Sequence, residues 1–320
     1  MKGFKGFIAL AVLALATQAQ AQGWPTRTIT LVVPYPPGGS SDLAGRLMAD
    51  RIATATGQTV IVENKAGAGG VLGSVSVTTA APDGYTLLLG NNATHVITPL
   101  MSKTPRYDGL KDFTPIAKLA DTDQYIGVNA ALPVKSVQDL VALAKTQPGK
   151  LNFGTAGLGS FGQFSGELLK LQAGIDIFHV PYRGSAAALT DLTAGRIQIM
   201  FDPVVVTQKD GGNIRVLASS GTQRSKSTPD VPTMQESGLP NYVMLGWFGL
   251  FGPPNLPKEI SEKLSKIIVD AATDQKLQDT LTKAGLTASP ADAAAFTKTI
   301  EADQKLYRDI KTRANIPDTE

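Results

Sequence analysis

The sequence has no cysteine and only two histidines in 320 residues. A chain without cysteine forms no disulfide, has no thiolate nucleophile and offers no thiolate to a metal. Two histidines make a histidine-rich metal site a poor prediction as well. We therefore expect neither a metal nor a cofactor.

The chain also lacks a strong excess of charge of either sign. It carries 30 basic and 27 acidic residues, and two of the lysines belong to the N-terminal segment described next. A nearly neutral chain has no broad electrostatic field for nucleic acid or an anionic membrane, so neither is an expected partner. The length and the 42% hydrophobic fraction suit a real core, divided more naturally into two domains than one.

The N-terminal segment has the pattern of a secretory signal peptide. Lys2 and Lys5 precede an apolar run at 7–16, and the small-x-small sequence AQA at 19–21 suits a cleavage site. The run is too short to span a bilayer comfortably, although an N-terminal anchor is the alternative. We predict a signal peptide over residues 1–21, export to the periplasm, and no later membrane span.

From residue 24 onward, short apolar runs alternate with helix signatures. Runs at 29–33 and 85–89 are typical of strands, and this alternation predicts α/β domains with mostly parallel sheets flanked by helices. Two later apolar segments are interpreted as crossings between two units. We therefore predict one domain from residues 22–124 with 246–320 and a second from 125–245. The sequence SPAD at 289–292 predicts the start of the last helix, with Pro290 at its first position.

Residues 34–42 (PYPPGGSSD) follow the first predicted strand and open the first helix. Proline stiffens the turn, while Gly38 and Gly39 permit positive φ and a close backbone approach. A serine or aspartate is expected to cap the helix. The N–H groups and the positive dipole end at such a point attract a carboxylate or phosphate. The stretch therefore predicts an anion site, with an ordinary strand-to-helix turn as the alternative.

A second loop of the same construction follows the strand predicted at 151–153. Residues 154–160 (GTAGLGS) lead into a helix predicted over 163–172. Ligands of open α/β sheets bind beyond the carboxyl ends of the strands, so we expect both loops to face one cleft. The segment 157–162 also matches G-x-G-x-x-G, which makes a dinucleotide site an alternative, although an exported protein has little access to NAD.

Two side chains at strand ends and the two histidines complete the candidates. Arg183 could form a bidentate pair with a ligand carboxylate or only a surface ion pair, and Asp202 could accept a ligand N–H or cap a turn. A secreted α/β hydrolase would need a serine of either loop with one of the histidines. His179 is interpreted as a buried structural histidine, and His95 could border the cleft but has no evident partner.

Several motifs in a fixed order resemble those of the Bug family, the periplasmic solute receptors of tripartite tricarboxylate transporters. They are the segments 34–42 (PYPPGGSSD), 63–70 (ENKAGAGG), 82–87 (PDGYTL), 179–184 (HVPYRG), 230–238 (DVPTMQESG) and 247–253 (WFGLFGP). The resemblance covers essentially all of the chain after residue 21. Several ordered motifs together are far more specific than any one of them.

The resemblance implies a non-enzymatic, two-domain receptor with a type II-like periplasmic-binding (Venus flytrap) fold, expected to be a monomer. It implies a small carboxylate ligand, such as a dicarboxylate, an acidic amino acid or an aromatic acid, and delivery to transporter subunits in the membrane. A ligand sensor for a signalling partner is the alternative. The two loops would hold the ligand carboxylates. The candidate ligand-binding residues are Tyr35, Pro36, Gly38, Gly39, Ser40, Asp42, Asn92, Ala93, Thr155, Ala156, Gly159, Ser160, Gln163, Arg183 and Asp202.

One departure from the family pattern affects the expected ligand. Family members often carry Ser-x-x-His in the second loop, whereas here Ser160 is followed three residues later by Gln163, which cannot become cationic. Phe161 and Phe164 add apolar side chains nearby. We therefore expect citrate-like ligands to be disfavoured and a ligand with an aromatic or apolar body to be preferred.

Overall fold

The computed structural model of the protein describes residues 23–208 and 211–319. The predicted signal peptide lies outside the described residues. Within these ranges, no helix is both long and apolar enough to cross a membrane.

The described chain alternates strands and helices in the order expected of α/β units. The strands are β1 (Ile29–Val33), β2 (Val60–Asn64), β3 (Thr86–Asn91), β4 (Thr114–Asp123), β5 (Tyr125–Asn129), β6 (Asn152–Thr155), β7 (Phe178–Pro181), β8 (Ile199–Phe201), β9 (Ile214–Ser219), β10 (Leu245–Gly252) and β11 (Leu286–Asp292). The helices are α1 (Ser40–Thr56), α2 (Val71–Thr78), α3 (Thr98–Met101), α4 (Val137–Thr146), α5 (Phe161–Ala173), α6 (Ser185–Thr193), α7 (Lys258–Ala271), α8 (Gln275–Lys283) and α9 (Ala293–Arg313).

The strands form two sheets, one in each unit. The first sheet has the order β11-β4-β10-β3-β1-β2 and the second has the order β7-β6-β8-β5-β9. In the first, β1 pairs in parallel with β2 and β3, and β10 runs antiparallel to β3 and β4. In the second, β6 pairs in parallel with β7 and β8, and β5 runs antiparallel to β8 and β9. Both sheets are therefore mixed rather than mostly parallel, because the strands next to the crossings run against the others.

Helix α1 illustrates how the sequence builds the first unit. Ala44, Met48 and Ile52, spaced four residues apart, are completely buried and share an apolar cluster with the side chains of β1. The helix ends at Gly57, whose φ of 69° suits the left-handed residue that commonly follows a helix. This packing fixes the start of α1 beyond the carboxyl end of β1.

Aromatic side chains join the two units near the crossing strands. The ring of Tyr307 in α9 lies 5.0 Å from that of Phe164 in α5, measured between centroids. Trp247 of β10 packs edge-to-face on Phe296 and donates its Nε1–H to Asp303 over 2.7 Å. Because α9 belongs to the first unit and α5 to the second, the contact between Tyr307 and Phe164 joins the units, whereas the contacts of Trp247 hold α9 to the first sheet.

The predicted start of the last helix at 289–292 was wrong. Ser289 and Pro290 lie inside β11, and α9 begins at Ala293, with the Asp292 side chain accepting the Ala295 N–H over 2.8 Å. β11 is the edge strand beside β4, and its register shifts between Ala288 and Ala291. A proline without an N–H is tolerated at such an irregular edge, so pairing with β4 outweighs the local helix signal.

The packing of β10 against α9 predicts a stability effect. A Cβ added to Gly249 would lie 2.2 Å from Cζ of Phe296, which is fully buried and has no room to move aside. We expect Gly249→Ala to lower the free energy of unfolding by about 1–3 kcal/mol. Gly23→Ala is the control, because a Cβ there meets nothing within 4 Å. Urea denaturation followed by tryptophan fluorescence measures both, and an unchanged midpoint for the Gly249 variant would contradict the packing.

Candidate functional site

The predicted site residues lie beyond the carboxyl ends of parallel strands in both units. In the first unit, the loop at 34–39 follows β1 and Asn92 follows β3. In the second unit, the loop at 156–160 follows β6, while Arg183 and Asp202 follow β7 and β8. Because β1 to β3 are mutually parallel, as are β6 to β8, each set of strand ends shares one edge of its sheet.

The two edges face each other across a cleft. Ser40, at the start of α1, lines a cavity of about 480 Å³ together with Asp202. Gly159 of the second loop lines another cavity, of about 490 Å³, together with Gly69 of the first unit. A Cβ on Gly159 would lie 3.2 Å from Cγ of Met101, so the second loop touches the first unit here. Each of the two predicted loops therefore adjoins a cavity between the units, and the two cavities are separate.

The carboxylate of Asp42 organises the first loop. Its Oδ2 accepts the N–H of Gly38 over 3.0 Å and Nε of Arg46 over 2.9 Å, and its Oδ1 accepts the side-chain amide of Asn64 over 3.0 Å. Asn64 also donates to the backbone carbonyl of Tyr35. The hydrogen bond from Arg46 is the main cause that lowers the pKa of Asp42 to about 2. Asp42, predicted as a ligand contact, therefore stabilises the loop through these hydrogen bonds, an arrangement called the brace below.

The N-terminus of α1 is left open by this arrangement. The residue before the helix is Gly39, and the expected capping by a serine or aspartate was wrong, because Asp42 points back to Gly38 instead. Within the described part of the chain, no hydrogen bond occupies the backbone N–H groups of Ser40 and Ser41. The loop around them, including Pro36, is exposed. A helix of 17 residues thus presents free donors and its positive dipole end to the cleft.

The second loop contains the same glycine-to-side-chain hydrogen bond, with the neutral side chain of Gln163 in place of a carboxylate. Gln163 is 4% exposed, and its Oε1 accepts the N–H of Gly159 over 2.7 Å. Gly159 has a φ of 70° and Gly38 a φ of 92°, and each precedes by four residues the helical side chain that holds its N–H. Ser160 caps α5 by accepting the Gln163 N–H over 3.3 Å. The predicted ligand contact at Gln163 is therefore turned inward to support the loop.

His95 is buried and His179 is half-buried, and the lowered pKa of each leaves both rings uncharged at neutral pH. Nε2 of His179 lies 2.6 Å from Oγ1 of Thr155, and burial lowers the pKa of His179 to about 4. His95 is stacked on Phe251 with 3.8 Å between ring centroids, and burial lowers its pKa to about 3. The expectation that His95 borders the cleft was wrong, because it lies in this aromatic cluster. Among the described residues, neither ring bonds a serine of the two loops, so the hydrolase alternative has no base.

Arg183 and Asp202 differ in their surroundings. Arg183 is exposed, and no ion pair or hydrogen bond of its guanidinium is found within residues 23–208 and 211–319. Asp202 accepts the hydroxyl of Ser185 over 2.5 Å and the N–H of Val204 over 2.9 Å. Burial raises the pKa of Asp202. Asp202 therefore caps a turn, as one interpretation held, while it also lines the cleft beside Ser40.

The remaining candidates of the first unit lie on either side of the loop. The hydroxyl of Tyr35 donates to Oδ1 of Asn91 over 3.2 Å, and burial raises the pKa of Tyr35 to about 12. Asn92 is 5% exposed and donates its amide to the hydroxyl of Tyr307 over 3.1 Å, which directs it toward the junction between the units. Ala93, which begins a π-helical turn, is half-buried.

The aromatic side chains beside the second loop belong to the junction rather than to an open binding surface. Phe164 is completely buried, and the half-buried ring of Phe161 lies 6.3 Å from Tyr307 between centroids. The expectation that Phe164 adds apolar surface for a ligand was therefore wrong. Ala156, by contrast, is exposed at the tip of the second loop, and Thr155 is buried beneath it.

Two supporting residues were not identified as such from the sequence. Asn64 bonds both the backbone of Tyr35 and the carboxylate of Asp42, and Ser185 bonds Asp202. Asn64 belongs to the ENKAGAGG segment, so the ordered motifs already carried a signal for it. Ser185 had no such signal, since its partner lies 17 residues away on another strand end.

Two α/β units whose strand-end loops adjoin cavities between them have the architecture of a bilobal solute-binding protein. Residues 44–315 match the model of the tripartite tricarboxylate transporter family receptor, and the chain belongs to this family. Its members are receptors rather than enzymes, which confirms the predicted family, the two-domain fold and the non-enzymatic role. The dinucleotide and hydrolase alternatives were wrong.

Relatives extend over nearly the whole chain. Protein BugT of Bordetella pertussis is 34% identical over 284 residues, which cover 88% of this chain and 87% of BugT. The structure is similar to that of Rpa4515 of R. palustris with adipate, with a TM-score of 0.80 and 32% identity, covering 92% of this chain and 100% of that one. It is also similar to MatC (Rpa3494) from Rhodopseudomonas palustris with bound malate, with a TM-score of 0.73 and 30% identity over 90% of this chain and 99% of MatC.

The brace at Asp42 predicts a pH-dependent stability. Its folded pKa of about 2 is below the ordinary value, so the interaction stabilises the fold at neutral pH and is lost as the pH falls from about 4 toward 2. We expect Asp42→Asn to lower the free energy of unfolding by about 1–2 kcal/mol at pH 7. The difference from wild type should shrink in acid.

Denaturation at a series of pH values measures this effect. Asp50→Asn is the matched control, because Asp50 is on the same helix with its side chain 72% exposed. A constant difference between Asp42→Asn and wild type from pH 7 to pH 2 would show that the carboxylate charge is not responsible.

Proposed function

We propose that this receptor captures a small carboxylate between its two units and delivers it to the membrane subunits of a tripartite tricarboxylate transporter. The observation that carries the proposal is the open N-terminus of α1, where Ser40 lines a cavity together with Asp202 of the second unit. The structures of relatives with adipate and with malate support a carboxylate as the ligand.

Recognition would rest mainly on backbone donors. The N–H groups of Ser40 and Ser41 would bind one oxygen, and the N–H of Ala156 would approach from the other side, since the N–H of Gly159 is already donated to Gln163. A helix N-terminus binds an anion through directed N–H groups and its dipole without a formal counter-charge. Arg183 would add a bidentate contact, and Asp202 would accept a ligand hydroxyl or N–H.

Capture would couple to closure of the two units. A ligand shifts this equilibrium only as far as it binds the closed form more tightly than the open form, so contacts from both loops are required.

We take residues 22–124 with 246–320 as one domain and 125–245 as the other. The protein would act as a monomer in the periplasm after removal of residues 1–21. A ligand sensor for a signalling partner shares the same binding step, and transport assays in cells lacking the membrane subunits separate the two roles.

Binding to purified protein beginning at residue 22 tests the proposal. Malate, adipate, glutamate, benzoate and citrate are compared by thermal shift and calorimetry, with adipamide as an uncharged control. A ligand at 100 times its Kd should stabilise the fold by about 2.7 kcal/mol. Failure of every acid to bind would contradict the proposal, and so would equal binding of adipate and adipamide.

Replacement of Gly39 by leucine isolates the first loop. Gly39 has a φ of −91°, and a Cβ there meets nothing within 4 Å, so Gly39→Leu should fold normally. Its side chain would cover the open N–H groups, and we expect affinity for every carboxylate to fall at least about tenfold, or about 1.4 kcal/mol. Gly23→Leu is the control outside the cleft. Calorimetry with unchanged Kd for Gly39→Leu would refute the role of this loop.

A further inference from the structure

A cavity of about 380 Å³, here called the crossing cavity, lies where the chain passes between the two units. Asp123 at the end of β4 lines it together with the loop at 221–226, which follows β9. Thr122 instead lines the cavity that contains Ser40. Because neighbouring side chains of a strand point to opposite faces, the two cavities lie on opposite faces of β4, although Thr282 borders both.

The two segments that connect the units are tied together next to the crossing cavity. The hydroxyl of Ser220 accepts the N–H of Gln124 over 2.9 Å and donates to the backbone carbonyl of Met244. Its backbone N–H donates to the carbonyl of Gln124 over 2.8 Å. Gln124 follows β4, and Met244 precedes β10. One serine therefore joins both connections, and the cavity begins at the next residue, Gly221.

Asp123 presents a buried carboxylate to the crossing cavity. It is 9% exposed, and within the described ranges no hydrogen bond or ion pair to its side chain is found. A Cβ added to Gly221 would lie 2.7 Å from its Oδ1, so the carboxylate packs against the loop that follows β9. Burial and then the charge of Asp121 raise the pKa of Asp123 to about 6, which leaves it mostly ionised at neutral pH. A buried anion without a partner is costly, so this site favours a cation.

The other charged groups around the crossing cavity are engaged elsewhere or exposed. Asp121 accepts Nζ of Lys118 over 2.7 Å. Arg224 donates to the carboxylate of Glu236 over 2.9 Å. Lys226 is exposed, so its long side chain can keep the ammonium group in solvent. The lining residues from α8, β10 and β11 carry no charge.

The neutral lining of the crossing cavity is mostly polar. It includes the hydroxyl and amide side chains of Thr222, Gln223, Ser225, Gln278, Thr287 and Ser289. The volume is within the range of small-molecule sites, roughly 300–1,000 Å³. Among the described residues, no group of three or more His, Cys, Asp or Glu side chains could hold a metal ion. The lining therefore suits a hydrophilic organic cation better than a divalent metal.

We propose that the crossing cavity binds a small, hydrophilic primary amine whose ammonium group pairs with Asp123. An ammonium group has three N–H donors, and charge-assisted hydrogen bonds to a carboxylate are the stronger kind. Hydroxyl groups of the amine would bond the neutral side chains of the lining. The amine would contact both β4 and the loop at 221–226, next to the connections between the units. This site is separate from the proposed carboxylate site and does not depend on it.

Three small probes that differ in one group test this assignment. Ethanolamine carries an ammonium group, ethylene glycol has a hydroxyl in its place, and choline has the same charge without N–H donors. Calorimetry at constant ionic strength compares them on wild type, Asp123→Asn, Lys226→Gln and the control Asp50→Asn. Asp50 is an exposed carboxylate outside the crossing cavity. Asparagine keeps the size of Asp123, and thermal melting checks that this variant folds.

We expect wild type and Asp50→Asn to bind ethanolamine at least about tenfold more tightly than choline or ethylene glycol. Asp123→Asn should weaken ethanolamine about tenfold, and Lys226→Gln should bind it at least as well as wild type, since a nearby cation is removed. Wild type should bind ethanolamine about tenfold more weakly at pH 5 than at pH 8. Asp123 is protonated below its pKa of about 6, whereas the ammonium group stays charged at both pH values.

Failure of wild type to bind ethanolamine would overturn the assignment, and so would equal binding of ethanolamine and ethylene glycol. Binding by Lys226→Gln alone would also overturn it, because Lys226 would then be the partner of Asp123. If Asp123→Asn does not fold, the wild-type pH series decides, and a constant affinity from pH 8 to pH 5 would exclude Asp123 as the ligand's partner.

Discussion

The same kind of hydrogen bond shapes the loop at the start of a helix in each unit. In each unit, the third residue of a helix accepts the N–H of a glycine four residues earlier, and that glycine has positive φ. In the first loop the acceptor is Asp42, and in the second it is Gln163. The bond holds the preceding loop against the start of the helix. It also occupies the side chain of Asp42 or Gln163, which is then not available to cap the first turn. At α1 the result is a helix whose first N–H groups are open to the cleft.

This construction explains why the cleft needs so little formal charge. Both histidines are neutral, and the carboxylates of Asp42 and Asp202 are held by protein donors. In the proposed binding mode, a ligand anion would therefore meet backbone donors at the start of α1. In that mode, backbone donors would fix where one carboxylate lies, and the surrounding side chains would select the rest of the ligand.

The junction between the units depends on a separate set of contacts. Strand β4 ends at Asp123 and β5 begins at Tyr125, so the chain passes between the sheets with a single residue between strands. Beside it, α9 places Tyr307 against Phe164 and against the amide of Asn92. These contacts account for the aromatic residues that local sequence placed near the ligand. They belong to the surface on which the two units meet.

The sequence by itself determined the family, the alternation of strands and helices, and the positions of the two glycine-rich loops. These follow from local rules, since apolar periodicity, glycine and proline act within a few residues. Only the tertiary structure decided that Asp42 and Gln163 brace the loops, that His95 is in the core, and that Pro290 lies in a strand. Each of those outcomes depends on a partner or a packed surface contributed by folding, and side-chain direction is not encoded in residue type. The open N-terminus of α1 depends on both the local sequence and the tertiary structure. The sequence places the glycines before the helix, and in the folded chain the side chain of Asp42 accepts the N–H of Gly38 instead of capping the helix.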